Sequence, residues 1–429
     1  MEVEAGKWTK SRGHGLTFAC LFVFSIVLFL RPYELISALS SFKSMAFYVG
    51  IVTLTVYAVS QLIAEGNLTS RPREVNMVLL MGLAAFLSIP MAIDPGEAWK
   101  EFSELVIKTV LIFVVIANVV RTEWRMRFLW FLILGVSIYL SVSVISDYQA
   151  GVFKIGAAET NTQRVAGAIK GLFDNSNDLA LHLVTIIPIS FALGIEKKGL
   201  IRKLVYFPIT LLMVAAVIIT FSRGGFLGLI AMVLVLARKL SRRNKSAAMA
   251  TIVLGVIFFL AVAPASYSGR LATIFDSASD ITGSSSQRTQ VLKRSILVAL
   301  RYPLFGVGIG NFHHKSFQEL GTHNAYTQVA AETGIAAMVC YIIFLVHPLR
   351  KLRLMEREMY ERNESSHYYY LAIGLQASLV GYMVASFFAA VAYQWYIYYL
   401  VGYAIALRRI YYLEQSEKLN PSPARSVLV

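Results

Sequence analysis

The sequence predicts an all-α membrane protein of about twelve transmembrane helices, and three observations support this prediction. The chain has 429 residues, of which 57% are hydrophobic and only 15% are charged, whereas about a quarter of the residues in a soluble protein are charged. Apolar runs of about 17–22 residues recur along the whole chain, and each is long enough to cross ~30 Å of hydrocarbon as a helix. These runs are continuous, whereas the strands of a membrane barrel alternate apolar and polar residues.

Nine predicted spans precede a long polar segment, and three follow it. They lie at about 15–31, 45–64, 75–93, 102–120, 127–147, 177–195, 203–221, 224–238, 247–266, 325–347, 369–389 and 392–408. The chain is accordingly divided into helices 1–9 (1–266), a large loop (267–324), helices 10–12 (325–410) and a tail (411–429). The first span has no convincing small-residue cleavage site, so we expect it to remain as an anchor.

The distribution of positive charge predicts the orientation of the spans. With the N-terminus in the cytoplasm, every inside segment is basic, and these segments hold most of the 40 lysines and arginines, as the positive-inside rule requires. Both termini are therefore predicted to be cytoplasmic and the large loop to lie outside. The same rule explains the net charge of +15, so no nucleic-acid partner is expected. The two cysteines, Cys20 and Cys340, lie in apolar runs, which excludes a disulfide framework or a cysteine-based zinc site.

The large loop contains a predicted amphipathic helix in the stretch QRTQVLKRSILVALRYP. Leu292, Ile296 and Leu300 share one helical face, and basic residues including Arg288 surround it. A basic amphipathic helix of this kind can lie in the membrane interface. Arg288 is a candidate anion ligand, although loop arginines are more often simply solvated.

His323 is the strongest candidate for chemistry, because it lies where the large loop meets the tenth span. Asn324, Gln328 and Glu332 follow at helical spacing and form a polar stripe, and polar residues at membrane depth usually face a bundle interior or a wet cavity. A histidine at the mouth of such a cavity can accept a proton from a hydroxyl near neutral pH. The alternative is a helix-capping or interfacial histidine without chemistry.

Arg223 is the second candidate, in the hairpin TFSRGGFLG between the seventh and eighth spans. The two following glycines allow a tight turn and close backbone approach, and a guanidinium binds phosphate bidentately. The alternative is snorkelling to lipid headgroups. Asn175 and Asn177, in GLFDNSNDLALHL, are typical of helix N-capping.

Two further patterns, a glycine-rich stretch and a pair of adjacent histidines, are not interpreted as a nucleotide-binding loop or a metal site. GVGIGN (306–311) is glycine-rich, but it lacks the strand–turn–helix context of a nucleotide loop, so turns are predicted there. His313 and His314 are adjacent and cannot share a helix face as metal ligands, so no metal site is expected.

Four motifs, in this order, resemble the O-antigen ligase and polymerase family of bacterial membrane glycosyltransferases. They are FDNSNDLA at the start of the sixth span, SRGGFLG in the hairpin, QR…RYPLFGVGIGNF in the large loop, and HNAYTQVAAETG leading into the tenth span. The resemblance is strong over about 170–340 and elsewhere rests on the pattern of spans alone. Val291 departs from the family, whose members often carry tryptophan three residues after the loop arginine.

The resemblance implies a C-type glycosyltransferase fold in the bacterial inner membrane, with a periplasmic active site and no metal or other cofactor. The donor would be a glycan on undecaprenyl diphosphate, and the acceptor a hydroxyl of lipid A–core or of another lipid-linked glycan, among membrane lipids. His323 matches the family's essential histidine, Arg223 its hairpin arginine and Arg288 its loop arginine. This match implies His323 as the base and the two arginines as diphosphate ligands. The polar residues expected to contact substrate beside them are Asn175, Asn177, Asn324 and Gln328.

Two other functions stay open at the level of sequence. A polysaccharide flippase would also have about twelve spans and a basic cavity, although its key charges would lie near the membrane midplane. A protein-glycosylating relative would share the donor and differ in the acceptor, for which no motif is readable.

Overall fold

A computed structural model describes residues 13–36, 39, 44–152, 154–155, 163–165, 167, 169, 173, 175–196, 199–243, 245–263, 284–364 and 366–419. The described chain is almost entirely helical, with one antiparallel pairing of Lys154–Ile155 with Gln163–Arg164. Residues 267–283 of the predicted large loop and residues 420–429 of the predicted tail lie outside the described residues.

Sixteen α-helices are numbered here in chain order over the described residues. They are α1 Gly15–Leu30, α2 Pro32–Leu35, α3 Met45–Glu65, α4 Arg73–Ser88, α5 Pro95–Glu101, α6 Ile107–Val119, α7 Glu123–Gln149, α8 Ser176–Ile195, α9 Leu200–Ile219, α10 Arg223–Leu240, α11 Lys245–Val262, α12 Ser284–Arg301, α13 Ala325–Thr333, α14 Ile335–Glu361, α15 His367–Ala385 and α16 Trp395–Leu419. A π-helical turn, Phe102–Val106, joins α5 to α6.

Nine helical segments in the described part of the chain are long and apolar enough to cross a membrane. They are Gly15–Glu34, Met45–Glu65, Arg73–Met91, Pro95–Val119, Glu123–Gln149, Ser176–Ile195, Leu200–Ile219, Ile335–Glu361 and His367–Phe388. The prediction of an all-α polytopic membrane protein is therefore confirmed, whereas the number twelve is not. The other three predicted spans coincide with the helices α10, α11 and α16.

The helix α16 shows why apolar composition alone misses some core helices. Six tyrosines and two arginines between 395 and 412 lower its hydropathy, yet every residue of this stretch is buried. Two of its tyrosines bond within the bundle: Ser25 Oγ and Tyr399 Oη lie 2.8 Å apart, and Tyr398 Oη donates to the carbonyl oxygen of Ala392 at 3.2 Å. A helix surrounded by protein does not need the composition that a lipid-facing helix needs.

The predicted tenth span, 325–347, is two helices in the structure, and Gly334 separates them. Gly334 has φ +95° and accepts no side chain, because an added β-carbon would overlap the carbonyl oxygen of Leu304. The membrane-length helix is α14, which begins at Ile335. The polar stripe predicted for the outer half of the span therefore lies on the separate short helix α13.

Ion pairs between buried side chains lie at one end of the bundle. Arg121 pairs with Glu65 at 2.5 Å, and Arg408 pairs with Glu74 at 2.5 Å, with each side chain at most 4% exposed. The opposite end, here called the site end, is formed by residues 88–97, 175–177, 220–225, 303–328 and 386–394. The site end carries Asn175, Asn177, Arg223, His323 and Asn324.

Candidate active site

Arg223 is the first residue of α10, directly after a tight turn. Phe221 has φ +53°, and the buried Ser222 caps the helix by accepting a hydrogen bond from the Gly225 N–H at 3.1 Å. A serine at this position satisfies a helix N–H that would otherwise lack a partner. The turn thus places the half-buried Arg223 in the first turn of α10, at the site end.

The glycines after Arg223 allow α10 to approach its neighbours closely. A β-carbon added at Gly225 would lie 2.6 Å from Cβ of Ala180 on α8, and one added at Gly224 would lie 2.9 Å from Cβ of Phe388. Both distances are shorter than a side chain tolerates. The glycines predicted to allow close backbone approach therefore do so against protein.

Asn175 and Asn177 begin α8 beside this turn. Asn175 is exposed and caps the helix, because its Oδ1 accepts a hydrogen bond from the Asn177 N–H at 2.9 Å. The Oδ1 of Asn177 accepts a hydrogen bond from Ser222 Oγ at 2.8 Å. The capping prediction is confirmed for Asn175, and the first two sequence motifs are directly bonded to each other.

His323 adopts φ +49°, in the left-handed region that non-glycine residues occupy only occasionally. Its side chain is half-buried. Unusual backbone conformations of this kind concentrate at functional sites. The conformation turns the chain from the loop into α13, and the residue that follows caps that helix.

Asn324 uses both ends of its amide in structural contacts. Its Oδ1 accepts hydrogen bonds from the N–H groups of Tyr326 at 2.9 Å and Thr327 at 3.0 Å. Its Nδ2 donates to the carbonyl of Phe387 at 3.1 Å. The predicted substrate contact of Asn324 stays a prediction, and its observed role is to hold His323 beside the chain at Phe387.

The turn Ser386–Phe388 connects these motifs and was not singled out from the sequence. Asn324 bonds the carbonyl of Phe387, and Gly224 packs against Phe388. The only sequence signal was the end of the predicted eleventh span at a serine followed by two phenylalanines. The residues that contact this three-residue turn, Asn324 and Gly224, are thus the direct sequence neighbours of His323 and Arg223.

Gln328 and Glu332 continue along α13 towards the glycine-rich loop. The Gln328 Oε1 accepts a hydrogen bond from the Ala392 N–H at 3.3 Å. Glu332 is 5% exposed, and burial raises the pKa of its carboxyl to about 8, a rise that the backbone N–H of Gly310 opposes and the charges of Glu101 and Glu97 increase. Glu332 is therefore mostly protonated at neutral pH. The predicted substrate contact of Gln328 stays a prediction.

Arg288 lies in the first half of α12, and this helix packs on the loop and on α13. A small apolar cluster joins them through five buried side chains, which are Val291, Val298, Val307, Phe312 and Ala331. The predicted apolar face points away from this cluster, with Ile296 44% and Leu300 64% exposed. Val291 is fully buried in the packing face. The outward face remains available to a membrane interface, as predicted.

The glycine-rich loop, residues 306–311, forms turns at the site end, as predicted. Gly306, Gly308 and Gly310 have φ of +66°, +98° and +74°. Val307 N–H donates to Ala331 O at 2.9 Å, at the end of α13. A β-carbon at Gly308 would overlap Ala92. These glycines serve backbone packing between the loop, α13 and the chain before α5.

His313 and His314, which were predicted not to share a helix face as metal ligands, lie close together in the structure. They lie on a 3₁₀ turn, Asn311–Lys315, and their ring centroids are 4.0 Å apart. Together with Glu97 they form a group whose possible ligand atoms all lie within 4.8 Å of one another. The prediction considered an α-helix, whereas the two histidines lie on a 3₁₀ turn and the third residue of the group comes from α5.

The fold and the site together define a polytopic helical membrane protein with an arginine- and histidine-bearing site at one end of its bundle. Residues 208–342 match the family model described as O-antigen ligase. The matched segment includes Arg223, Arg288 and His323. No curated protein sequence matches the chain. The family match supports a membrane glycosyltransferase-like ligase or polymerase.

Proposed function

We propose that the protein transfers a glycan from undecaprenyl diphosphate to an acceptor hydroxyl at the site end, on the periplasmic face of the bacterial inner membrane. The acceptor is lipid A–core or another lipid-linked glycan. The observation that carries the proposal is the shared turn at Ser386–Phe388. Asn324 bonds to it at 3.1 Å, and Gly224 packs against it, so that His323 and Arg223 flank one region.

In the proposed reaction, the acceptor oxygen attacks the anomeric carbon of the donor glycan. His323 accepts the acceptor's proton as the new C–O bond forms. The bond from the anomeric carbon to the diphosphate breaks, and its electron pair stays on the diphosphate oxygen. One direct displacement of this kind inverts the anomeric configuration.

Arg223 and Arg288 have the proposed role of holding the diphosphate and balancing the charge that grows on it. A guanidinium is suited to this role, because it stays charged and offers a planar fork of donors. The diphosphate is a good leaving group, so positioning and charge stabilisation supply much of the catalysis. No metal is needed in this scheme.

A transfer assay with purified full-length protein and a lipid-linked oligosaccharide tests this function. The wild type should form a glycosidic bond to lipid A–core or to a second lipid-linked glycan, with and without EDTA. His323→Ala should reduce the rate by about 10²–10⁴-fold, as loss of a general base does. The acceptor that is used distinguishes a ligase from a polymerase, and use of a protein acceptor would identify a protein glycosyltransferase.

His367→Ala is a matched control, since His367 is a partly buried histidine at the other end of α15, 3.4 Å from Glu123. It should keep full transfer activity. Full activity of His323→Ala would contradict the assignment of the base. Movement of the lipid-linked glycan across vesicles without bond formation would instead identify a flippase.

A further inference from the structure

Glu97, His313 and His314 form a compact group at the site end, separate from the residues assigned to glycan transfer. Glu97 Oε2 lies 2.9 Å from His314 Nε2 and 3.5 Å from His313 Nε2. The glutamate comes from α5 and the histidines come from the turn Asn311–Lys315. Nothing in the resemblance or in the family match assigns a role to these three side chains.

We propose that Glu97, His313 and His314 bind one transition-metal dication of the Zn²⁺ class. Two imidazole nitrogens and one carboxylate oxygen are a donor set that Zn²⁺ accepts, with water at a fourth position. Mg²⁺ and Ca²⁺ prefer sites built from oxygen ligands and fit this set poorly.

The spacing of the donor atoms suits this ion. Bonds of about 2.0–2.2 Å in a tetrahedral arrangement place neighbouring donor atoms ~3.3 Å apart. The observed separations of 2.9 and 3.5 Å lie on either side of this value. All three donors lie within 4.8 Å of one another, so small side-chain rotations complete the set.

The orientation of His313 also matches that of a metal ligand. Its Nδ1 lies 3.0 Å from the carbonyl oxygen of Gly310, and a carbonyl can only accept, so Nδ1 carries the proton. The lone pair of the neutral ring is then on Nε2, on the side of Glu97. Metal-bound histidines commonly donate their other nitrogen to a backbone carbonyl in this way, which fixes the tautomer and the ring orientation.

The two elements that supply the ligands are already joined. The Asp94 N–H donates to Asn311 Oδ1 at 2.6 Å, and the Ile93 N–H donates to the carbonyl of Val307 at 3.2 Å. Little further ordering is therefore needed when an ion binds. A preorganised site retains more of its interaction energy as affinity.

An ion can reach the group from solvent, because the side chains of His313, His314 and Glu97 are 26%, 33% and 40% exposed. In binding, the ion takes the place of the direct 2.9 Å contact between His314 Nε2 and Glu97 Oε2. The bound ion would connect α5 to the segment that leads to His323. It does not contact the reacting groups of the proposed transfer, and its effect is to stabilise this part of the site end.

The test uses tag-free full-length protein in detergent, stripped with EDTA and then titrated with Zn²⁺, and separately with Co²⁺ as a spectroscopic probe. One ion per chain should bind, Co²⁺ should develop visible absorption bands, and the thermal unfolding midpoint should rise, as it does when a ligand binds the folded state. Mg²⁺ at the same concentration should produce none of these changes.

Three variants assign the ligands. Glu97→Gln, His314→Asn and His313→Ala should each weaken Zn²⁺ binding by about 10–100-fold or more, since even outer partners of a metal site contribute this much. His367→Ala should bind as the wild type does. The metal-free unfolding midpoint of each variant shows that the chain is folded. Absence of one-to-one binding in the wild type, or unchanged affinity in the folded variants, would overturn the proposal.

Discussion

The hydroxyl of Ser222 donates a 2.8 Å hydrogen bond to Oδ1 of Asn177, and the same oxygen caps α10 by accepting from Gly225. One side chain therefore joins two helix starts that are 45 residues apart in sequence. Arg223, which follows it directly, depends on both bonds for its position. Asn177, Ser222 and Arg223 are thus coupled in position.

Replacement of Ser222 by alanine removes the cap of α10 and its bond to Asn177. We expect the free energy of unfolding to fall by about 0.5–2 kcal/mol, the usual cost of losing a cap, and the transfer rate to fall with it. Ser222→Thr should keep most of the stability and most of the transfer rate, because the threonine hydroxyl can also cap the helix. Ser241→Ala, at the exposed far end of α10, is the control. Thermal unfolding in detergent and the transfer assay measure the effects, and equal results for the two alanine variants would refute the role of Ser222.

Gly225→Ala should destabilise the protein through crowding between α10 and α8. The new β-carbon would lie 2.6 Å from Cβ of Ala180, and overpacking of this kind costs about 1–3 kcal/mol. The second change Ala180→Gly should restore much of the loss, since it removes the opposing atom. Gly135→Ala is the control, because no atom lies within 4 Å of that position. Additive effects in the double variant, measured as unfolding midpoints, would show that the two residues are not coupled.

Arg223→Ala and Arg288→Ala should each reduce the transfer rate by about 10²–10³-fold, as the loss of one charge-stabilising contact does. Lysine at either position should rescue only part of the rate, because the bidentate fork is lost. Arg238→Ala, at the far exposed end of α10, and Arg301→Ala, at the far end of α12, are the matched controls. Complete rescue by lysine would indicate general charge attraction instead of bidentate binding.

Glu332 should make the protein less stable as pH rises. Its carboxyl has a pKa of about 8 in the fold, raised from 4.5 mainly by burial, so the folded state binds more protons than the unfolded state between these values. Stability is fully present below pH 4.5 and falls as pH rises to about 8, with a slope of at most ~1.4 kcal/mol per pH unit. Glu332→Gln should remove this component of the slope. Unfolding midpoints of metal-free protein at pH 5, 6.5 and 8 check it, and an unchanged slope would contradict the raised pKa.

The sequence predicted most of the helical framework, because hydrophobic runs report directly on burial in lipid or protein. It also predicted the cap at Asn175 and the turns at 306–311, since glycine and asparagine mark local conformations. The break at Gly334 was not predicted, because one glycine inside an apolar run is compatible with a continuous helix. The helix ends there because Gly334 leaves the helical conformation, with φ +95° and ψ 166°, and the next N–H, that of Ile335, donates to the carbonyl of Pro303 at 2.8 Å.

The parts that sequence could not predict depend on contacts between distant segments. The face of α12 that packs on the protein carries Val291 and Val298, which cluster with Val307 and Phe312 of the loop. The more apolar stripe of the helix is instead the one formed by Leu292, Ile296 and Leu300. His313 and His314 converge on Glu97, and His314 lies 217 positions from Glu97 in the sequence. Local sequence patterns carry no information about contacts between segments so far apart in the chain.

The bond between Asp94 and Asn311 has a bearing on how the chain is made. The two residues are also 217 positions apart, and at 5–20 residues per second this separation takes ~10–40 s of synthesis. During that time the start of α5 has been made, but Asn311, to which Asp94 bonds, has not. Newly made chains truncated before Asn311 should thus expose this region to proteases, and its protection should appear once Asn311 has been made.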